Sequence, residues 1–254
     1  MKILVCIKQV PDMESKFKIN EKWYDTNDLA WRMNEYDEYG VEQAVQLKEQ
    51  AGDSDITVLC IGPARVKETM KKALAMGCDR GAHIEDDSVD RDPYTMASII
   101  AEFAKDKGFD VVFCGMQSQD RSSGQVGILV AEILGIPGIS TVVDFDYKDG
   151  KAAVKRELEG GIKSLISTTI PALFTCQLGL NTPRYPTLPN IMKAKKKELL
   201  SVPVDTLLKV ASGQETADLF FPEKKGSGLV LEGDPAEIAE RLIQILKEKT
   251  TVIG

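Results

Sequence analysis

The residues best suited to bind a small ligand lie in a polar loop after an apolar run. Residues 111–115 have the pattern of a buried strand, and Ser122, Ser123 and Gly124 then open a helical pattern through Val126. In a parallel sheet this is the carboxyl end of a strand, where ligands bind. Free amides at a helix start attract phosphate, and glycine permits close approach. Because the loop matches neither a P-loop nor G-x-G-x-x-G, the residues alone also allow a loop that binds nothing.

A second candidate surface lies in the run 184–197. Leu188 stands between Thr187 and Pro189, and a lysine-rich segment follows at once in a chain of net charge −7. The prolines on both sides of this leucine stiffen the loop and disfavour helix. An exposed leucine beside a positive patch would present an anchor to a partner protein. The alternative is that Leu188 folds back into the core and the lysines form a solvated helix face.

The composition is that of an ordinary globular protein. The chain has 254 residues, of which 43% are hydrophobic and 28% charged, enough for one sizeable core. The acidic balance argues against a general nucleic-acid binder. No apolar stretch is long enough to cross a bilayer, and the amino-terminal residues do not form a signal peptide. We therefore expect a cytoplasmic protein without membrane insertion.

The cysteines and the histidine do not form a pattern typical of catalysis or metal binding. The five cysteines include no C-x-x-C pair, and they lie in or beside apolar runs, which is typical of buried free thiols. His83 is the single histidine and falls in a predicted strand, residues 81–85. Metal sites and Ser-His-Asp triads usually need histidine in a defined partnership. We expect no metal site and no catalytic residue.

Strands and helices alternate through the first two-thirds of the chain. The short apolar runs with the pattern of strands buried on both faces are 3–7, 58–61 and 111–114. Helices are predicted to begin near Asn34, near Pro63 with Gly77 at the end, and after Asp92 with Pro93 in the first turn. This alternation predicts an α/β protein with a parallel sheet and helices on both sides.

Three further features interrupt or follow this alternation. Residues 17–24 and residues 142–158 are each predicted to form a hairpin, the second through an Asp149-Gly150 turn. After about residue 179 proline becomes frequent, and a final helix is predicted from the Asp234 cap. Its apolar stripe consists of Ile238, Leu242, Ile245 and Leu246. The stripe would pack on the core of the same chain or on another subunit.

Over most of its length the chain resembles the beta subunits of electron transfer flavoproteins. The similar segments follow one another in the same order as in that family. The segments that carry the resemblance are 2–8, 33–34, 61–64, 73–80, 115–117, 156–161 and 184–197. The resemblance implies a Rossmann-like, adenine-nucleotide-binding, three-layer domain over residues 1–180. It also implies a partner-recognition loop and a carboxyl-terminal arm over residues 181–254, which contact the alpha subunit of a heterodimer.

The same resemblance implies two nucleotide cofactors, AMP and FAD. AMP would be surrounded by Cys6, Asn34, Glu35, Tyr36, Asp37, Ile61, Gly115, Arg121, Ser122, Ser123, Gly124, Gln125 and Val126. FAD would lie mainly on the alpha subunit, with Met13 and Tyr36 approaching the isoalloxazine ring. Arg121 would contact a phosphate or point to solvent. The tract 156–161 would be a charged edge strand or lie near the alpha subunit and the flavin.

The function implied is that of an electron carrier, not an enzyme, because the flavin supplies the redox chemistry. Electrons would pass from flavin-containing dehydrogenases to an acceptor such as a quinone oxidoreductase, with docking through Leu188, Pro189, Lys193 and Lys196. Two alternatives stay open. Electron-bifurcating relatives hold a second FAD in the AMP pocket, although residues 118–123 depart from their loop. A stand-alone adenine-nucleotide-binding regulatory protein would have no need for the recognition loop and the arm.

Overall fold

The computed structural model describes residues 1–88, 90–223, 226 and 228–251. The chain divides into two compact units, Met1–Leu219 and Phe220–Gly254. The first unit therefore extends beyond residue 180. The division predicted at that residue concerns contact with a partner and stays a prediction.

Strands and helices alternate along the first unit. The strands of the described residues are β1 (Lys2–Ile7), β2 (Gln9–Pro11), β3 (Ile19–Asn20), β4 (Trp23–Tyr24), β5 (Trp31–Met33), β6 (Asp55–Gly62), β7 (Arg80–Glu85), β8 (Val111–Gly115), β9 (Gly138–Lys148), β10 (Lys151–Glu157), β11 (Lys163–Thr169), β12 (Ala172–Cys176) and β13 (Leu199–Pro203). The helices are α1 (Glu35–Ala51), α2 (Val66–Met76), α3 (Pro93–Ala104), α4 (Val126–Leu134), α5 (Leu188–Ala194) and α6 (Pro235–Lys249).

The core of the first unit is one sheet of nine strands in the order β11-β10-β9-β12-β8-β1-β6-β7-β13. The strands from β9 through β12 to β13 pair in parallel, whereas β10 pairs antiparallel with both β9 and β11. The three apolar runs lie in the adjacent central strands β8, β1 and β6. Their side chains are apolar in both directions because both faces of the sheet are covered.

Helices cover the two faces of the sheet, which confirms the predicted three-layer α/β class. Ile3 and Val5 of β1 belong to a core cluster that also contains apolar residues of α1 and α2. Leu4, which points the opposite way, belongs to a second cluster with residues of α3 and α4. The alternation of side chains along a strand therefore feeds two separate cores.

Local signals account for several element boundaries. Asp92 caps α3 by accepting a hydrogen bond of 2.7 Å from the Thr95 amide. Both predicted hairpins are present, as β3 with β4 and as β9 with β10. In the second hairpin, Asp149 and Gly150 have φ values of 51° and 79°, the left-handed conformation of a tight turn.

The start of α4 corrects one expectation. This helix begins at Val126, so Ser122, Ser123 and Gly124 belong to the preceding loop and not to its first turn. Ser122 and Gly124 have φ values of 50° and 63°. A right-handed helix cannot include residues in the left-handed conformation, which delays its start.

The second unit contains α6. Asp234 caps this helix by accepting bonds from the Ala236 and Glu237 amides, as predicted. No residue of α6 is buried. Packing of its apolar stripe on another subunit stays a prediction. In the part of the chain that the structure describes, no helix is both long and apolar enough to span a bilayer.

Candidate functional site

The loop that follows β8 is held in place by one buried amide. The Asn34 side chain donates to the Gln117 carbonyl at 2.9 Å and accepts from the Gln119 amide at 3.0 Å. Asn34 is 1% exposed, and a primary amide can serve as donor and acceptor at once. Asn34 therefore shapes the loop, and its place beside a nucleotide stays a prediction.

Asp37 joins the ends of two central strands. One carboxylate oxygen accepts from the Lys8 amide at 2.6 Å, and the other accepts from the Gly115 amide at 3.1 Å and from Asn34 at 3.0 Å. Burial raises the pKa of Asp37 to about 7, although these donors favour the ionised form. A Cβ atom on Gly115 would lie 2.1 Å from Asp37 Oδ1. Glycine is therefore required where the carboxylate crosses the strand end.

Glu35 and Tyr36 also contact the loop. The Gln119 side chain donates to the Glu35 carboxylate at 2.9 Å, and the Gln117 side chain donates to the Tyr36 hydroxyl at 3.2 Å. The second predicted neighbour of the isoalloxazine ring, Met13, is 50% exposed. The start of α1 thus organises the loop through four successive residues.

The charged residues of the loop are paired. Lys8 Nζ lies 2.7 Å from the Asp120 carboxylate. Arg121 Nη1 lies 2.8 Å from Asp90 Oδ1, and its guanidinium carbon lies 4.7 Å from the centroid of the Trp23 ring. Arg121 was expected either to contact a phosphate or to point to solvent, and neither expectation included the ion pair with Asp90. The pairing was not detectable in the sequence because Asp90 lies after a different strand.

A cleft of about 350 Å³ opens beside the loop. Its lining residues are Met116, Gly124, Gln125, Ile128, Leu129, Ser140, Thr141 and Thr175. Gly124 and Gln125 are predicted site residues, whereas the β9 and β12 hydroxyls were missed. Thr141 has a φ of 55°, and its amide is bonded to Thr175 Oγ1 at 3.1 Å. Sequence patterns do not signal such a local departure from strand geometry.

Cys6 and Ile61 lie near the carboxyl ends of β1 and β6, and β1 is the strand that pairs with β8. Cys6 pairs in register with Cys114, which places both thiols on the same face of the sheet. A hydrogen bond with Cys114 and burial raise the pKa of Cys6 well above its ordinary value. This thiol is therefore suited to contact a ligand by packing and not as a thiolate nucleophile.

The five cysteines are free and four of them are buried, as predicted, whereas Cys6 is only half-buried. Within the described residues, no group of three or more histidine, cysteine or acidic side chains could hold a metal ion. His83 is buried in β7, and its Nε2 atom lies 2.7 Å from the Gly62 carbonyl oxygen. This contact gives His83 a structural role at the end of β6.

The predicted anchor lies at the start of α5. Leu188 is 79% exposed, which contradicts the alternative of a core leucine. The expectation that the two prolines disfavour helix at this leucine was wrong, because Leu188 and Pro189 occupy the first turn after the Thr187 cap. Proline is tolerated in the first turn, because an amide at that position has no hydrogen-bond partner within the helix. Leu188 is accompanied by other exposed apolar side chains, namely Tyr185, Ile191 and Met192.

An ionic clamp fixes the chain just before this anchor. Arg184 pairs with Glu42 at 2.9 Å and with Glu49 at 2.6 Å, both on α1. Hydrogen bonds to Glu49 and Glu42 raise the pKa of the guanidinium further above its ordinary value. Because Glu42 is 3% exposed, the clamp connects the segment 184–197 to the core.

The lysines after the anchor divide into two kinds. Lys193, Lys195 and Lys196 are exposed. Lys197 donates instead to the carbonyls of Leu74 and Cys78, at 2.9 and 2.6 Å, near the end of α2. The positive patch therefore consists of three lysines, and the fourth donates hydrogen bonds to carbonyls at the end of a helix.

The three layers, the central parallel strands and the loop at their carboxyl ends define a Rossmann-like α/β protein. A family model, "Electron transfer flavoprotein domain", matches residues 22–207. The chain is 39% identical over 259 residues to the electron transfer flavoprotein subunit beta of Bacillus subtilis (strain 168), covering 100% of both chains. It is 36% identical over 261 residues to the subunit beta of Methylophilus methylotrophus, covering 98% of each.

A plant relative shows the same extent of similarity. The mitochondrial electron transfer flavoprotein subunit beta of Arabidopsis thaliana is 34% identical over 258 residues, and 100% of both chains is covered. The chain therefore belongs to the electron transfer flavoprotein family, among the beta subunits. Members of this family are electron-transfer proteins.

Proposed function

We propose that this chain pairs with an alpha subunit, binds a structural AMP, helps to hold one FAD on that alpha subunit, and docks on flavin-containing dehydrogenases. The observation that carries the docking role is the exposure of Leu188 at the start of a clamped helix. Exposing a large apolar side chain there does not contribute to the core. A single leucine entering an apolar pocket would stabilise a complex by about 2 kcal/mol.

The candidate loop has the features that a nucleoside monophosphate needs. Gly124 leaves the backbone open to a phosphate, and the first turn of α4 has no side-chain cap from any residue that the structure describes, so its free amides are available to an anion. Gln119 supplies a further observation, because its buried Oε1 atom has no hydrogen-bond partner among the described residues. A donor on the ligand, such as the adenine amino group, would satisfy that oxygen.

The role in electron transfer is one of placement. Bound FAD supplies the one- and two-electron chemistry. The chain contributes a rigid support for the loop through Asn34 and Asp37, and a docking surface through Leu188, Pro189, Lys193 and Lys196. None of these roles requires a proton transfer or a nucleophile. The onward acceptor would be an oxidoreductase such as one that reduces quinone.

The test is to co-express the chain with its alpha subunit, purify the complex and quantify the released nucleotides by mass spectrometry. One AMP and one FAD per heterodimer are expected. Two FAD molecules and no AMP would instead support an electron-bifurcating complex. A chain that purifies alone, with nucleotide but without flavin, would support the regulatory protein.

A further inference from the structure

Asp90 lies between the candidate nucleotide loop and a distant part of the chain. Its Oδ1 atom pairs with Arg121 at 2.8 Å, and its Oδ2 atom accepts from the Thr216 amide at 2.7 Å. Both oxygens are therefore engaged by groups that favour the carboxylate. Burial alone would raise the pKa of Asp90, but these hydrogen bonds hold it below its ordinary value.

Arg121 is restrained from a second direction. Its guanidinium carbon lies 4.7 Å from the Trp23 ring centroid, a cation–π arrangement. If Arg121 turned to a bound phosphate, it would lose its ion pair with Asp90 and its contact with Trp23. The Asp90 carboxylate would then lie near the phosphate without its cation. Each of these changes opposes binding of additional negative charge.

The other cation at the loop is similarly engaged. Lys8 Nζ is bonded to both carboxylate oxygens of Asp120 and lies 3.4 Å from the Ser118 hydroxyl. The phosphate-binding capacity of the loop therefore resides in backbone amides and hydroxyl groups. Such groups can hold a phosphate, but they lack the positive charge with which arginine or lysine offsets each added phosphate.

From this geometry we propose that Asp90 determines the phosphate count of the bound nucleotide, by holding Arg121 away from the ligand. This inference rests on the proposed binding of AMP at the loop and adds a specificity-determining residue to it. The site takes a nucleoside monophosphate, and it disfavours the diphosphate group of ADP or of a dinucleotide such as FAD. Removing the charge of Asp90 would break this ion pair and make Arg121 easier to recruit for a second phosphate.

The test compares dissociation constants for AMP and ADP, measured by calorimetry on the nucleotide-stripped complex with the partner subunit. The wild type should bind ADP at least tenfold more weakly than AMP. Asp90→Asn keeps a side-chain oxygen for the Thr216 amide but removes the charge. It should reduce the ADP-to-AMP ratio of dissociation constants about fivefold, with AMP affinity changed less than twofold.

Two further variants separate the causes. Asp90→Asn combined with Arg121→Gln should return the ratio to the wild-type value, because the released guanidinium is then absent. Asp144→Asn breaks an ion pair with Lys155 on β9 and β10 and should leave the ratio unchanged. An unchanged ratio in Asp90→Asn with normal AMP binding would overturn this proposal alone. Failure of the wild type to bind either nucleotide would overturn it together with the proposed AMP site.

Discussion

The candidate nucleotide loop (residues 116–125) and the proposed docking segment (residues 184–197) differ in whether their side chains have partners within the chain. In and around the loop, Asn34, Asp37 and Arg121 all have partners within the chain. At and just before the start of α5, Leu188 and Tyr185 are 79% and 93% exposed. The first arrangement fixes a geometry before a small ligand arrives, which lowers the entropy cost of binding. The second leaves exposed the apolar surface on which the proposed dehydrogenase partner would dock.

The comparison predicts that substitutions around the loop affect folding, whereas those at the exposed side chains of the docking segment affect encounters with partners. The largest effect is expected for Gly115→Ala. Its Cβ atom would displace the Asp37 carboxylate and disrupt three hydrogen bonds, at a cost of about 3 kcal/mol in the free energy of unfolding. Chemical denaturation measures this loss. Gly228→Ala is the control, since no atom lies within 4 Å of the added methyl group.

A pH titration probes the same carboxylate. The pKa of Asp37 is raised to about 7 in the folded protein, above the usual value near 4 in an unfolded chain. Between these values the folded state binds more protons, so this group's contribution to stability should increase as pH falls from 7 to 4, by at most about 1.4 kcal/mol per pH unit. Denaturation of wild type and Asp37→Asn at several pH values isolates that slope. Parallel curves would show that the buried carboxyl group does not titrate in this window.

For the docking segment, Leu188→Ala should raise the apparent Michaelis constant for this protein by more than tenfold in a dehydrogenase assay, which corresponds to about 2 kcal/mol. Stability and nucleotide content should stay normal, because the leucine is outside the core. Leu200→Ala provides a control, since Leu200 is 49% exposed on β13. Equal kinetics for the wild type and Leu188→Ala would remove the anchor from the proposal.

The smallest effect is expected from the lysines. Replacing Lys193 and Lys196 with glutamine should slow association with an acidic partner a few-fold at low ionic strength and hardly at all at high salt, where charges are screened. Stopped-flow rates across a salt series measure this dependence. Lys197→Gln should behave differently and lower stability, because Lys197 binds carbonyls near the end of α2. A salt effect equal for all three lysines would contradict this division.

Local chemistry made much of the fold predictable. The Asp92-Pro93 cap and the Asp149-Gly150 turn each act within a few residues, so the sequence displays them directly. The partners of Arg121 and Lys197 could not be predicted, because Asp90 and Leu74 approach them only after the sheet forms. The start of α5 was missed for another reason. Proline was interpreted as a helix breaker although it is compatible with a first turn.

Helix α1 fixes the position of the candidate nucleotide loop relative to the docking segment. Its amino-terminal turn carries Asp37 for the nucleotide loop, and its later turns carry Glu42 and Glu49 for Arg184. The two glutamates are seven residues apart, about two helical turns, and so point in nearly the same direction. Inserting one residue between Asp37 and Glu42 would rotate both glutamates by about 100° relative to the loop. The spacing of these residues along α1 thus determines the direction from the nucleotide loop in which the docking segment is held.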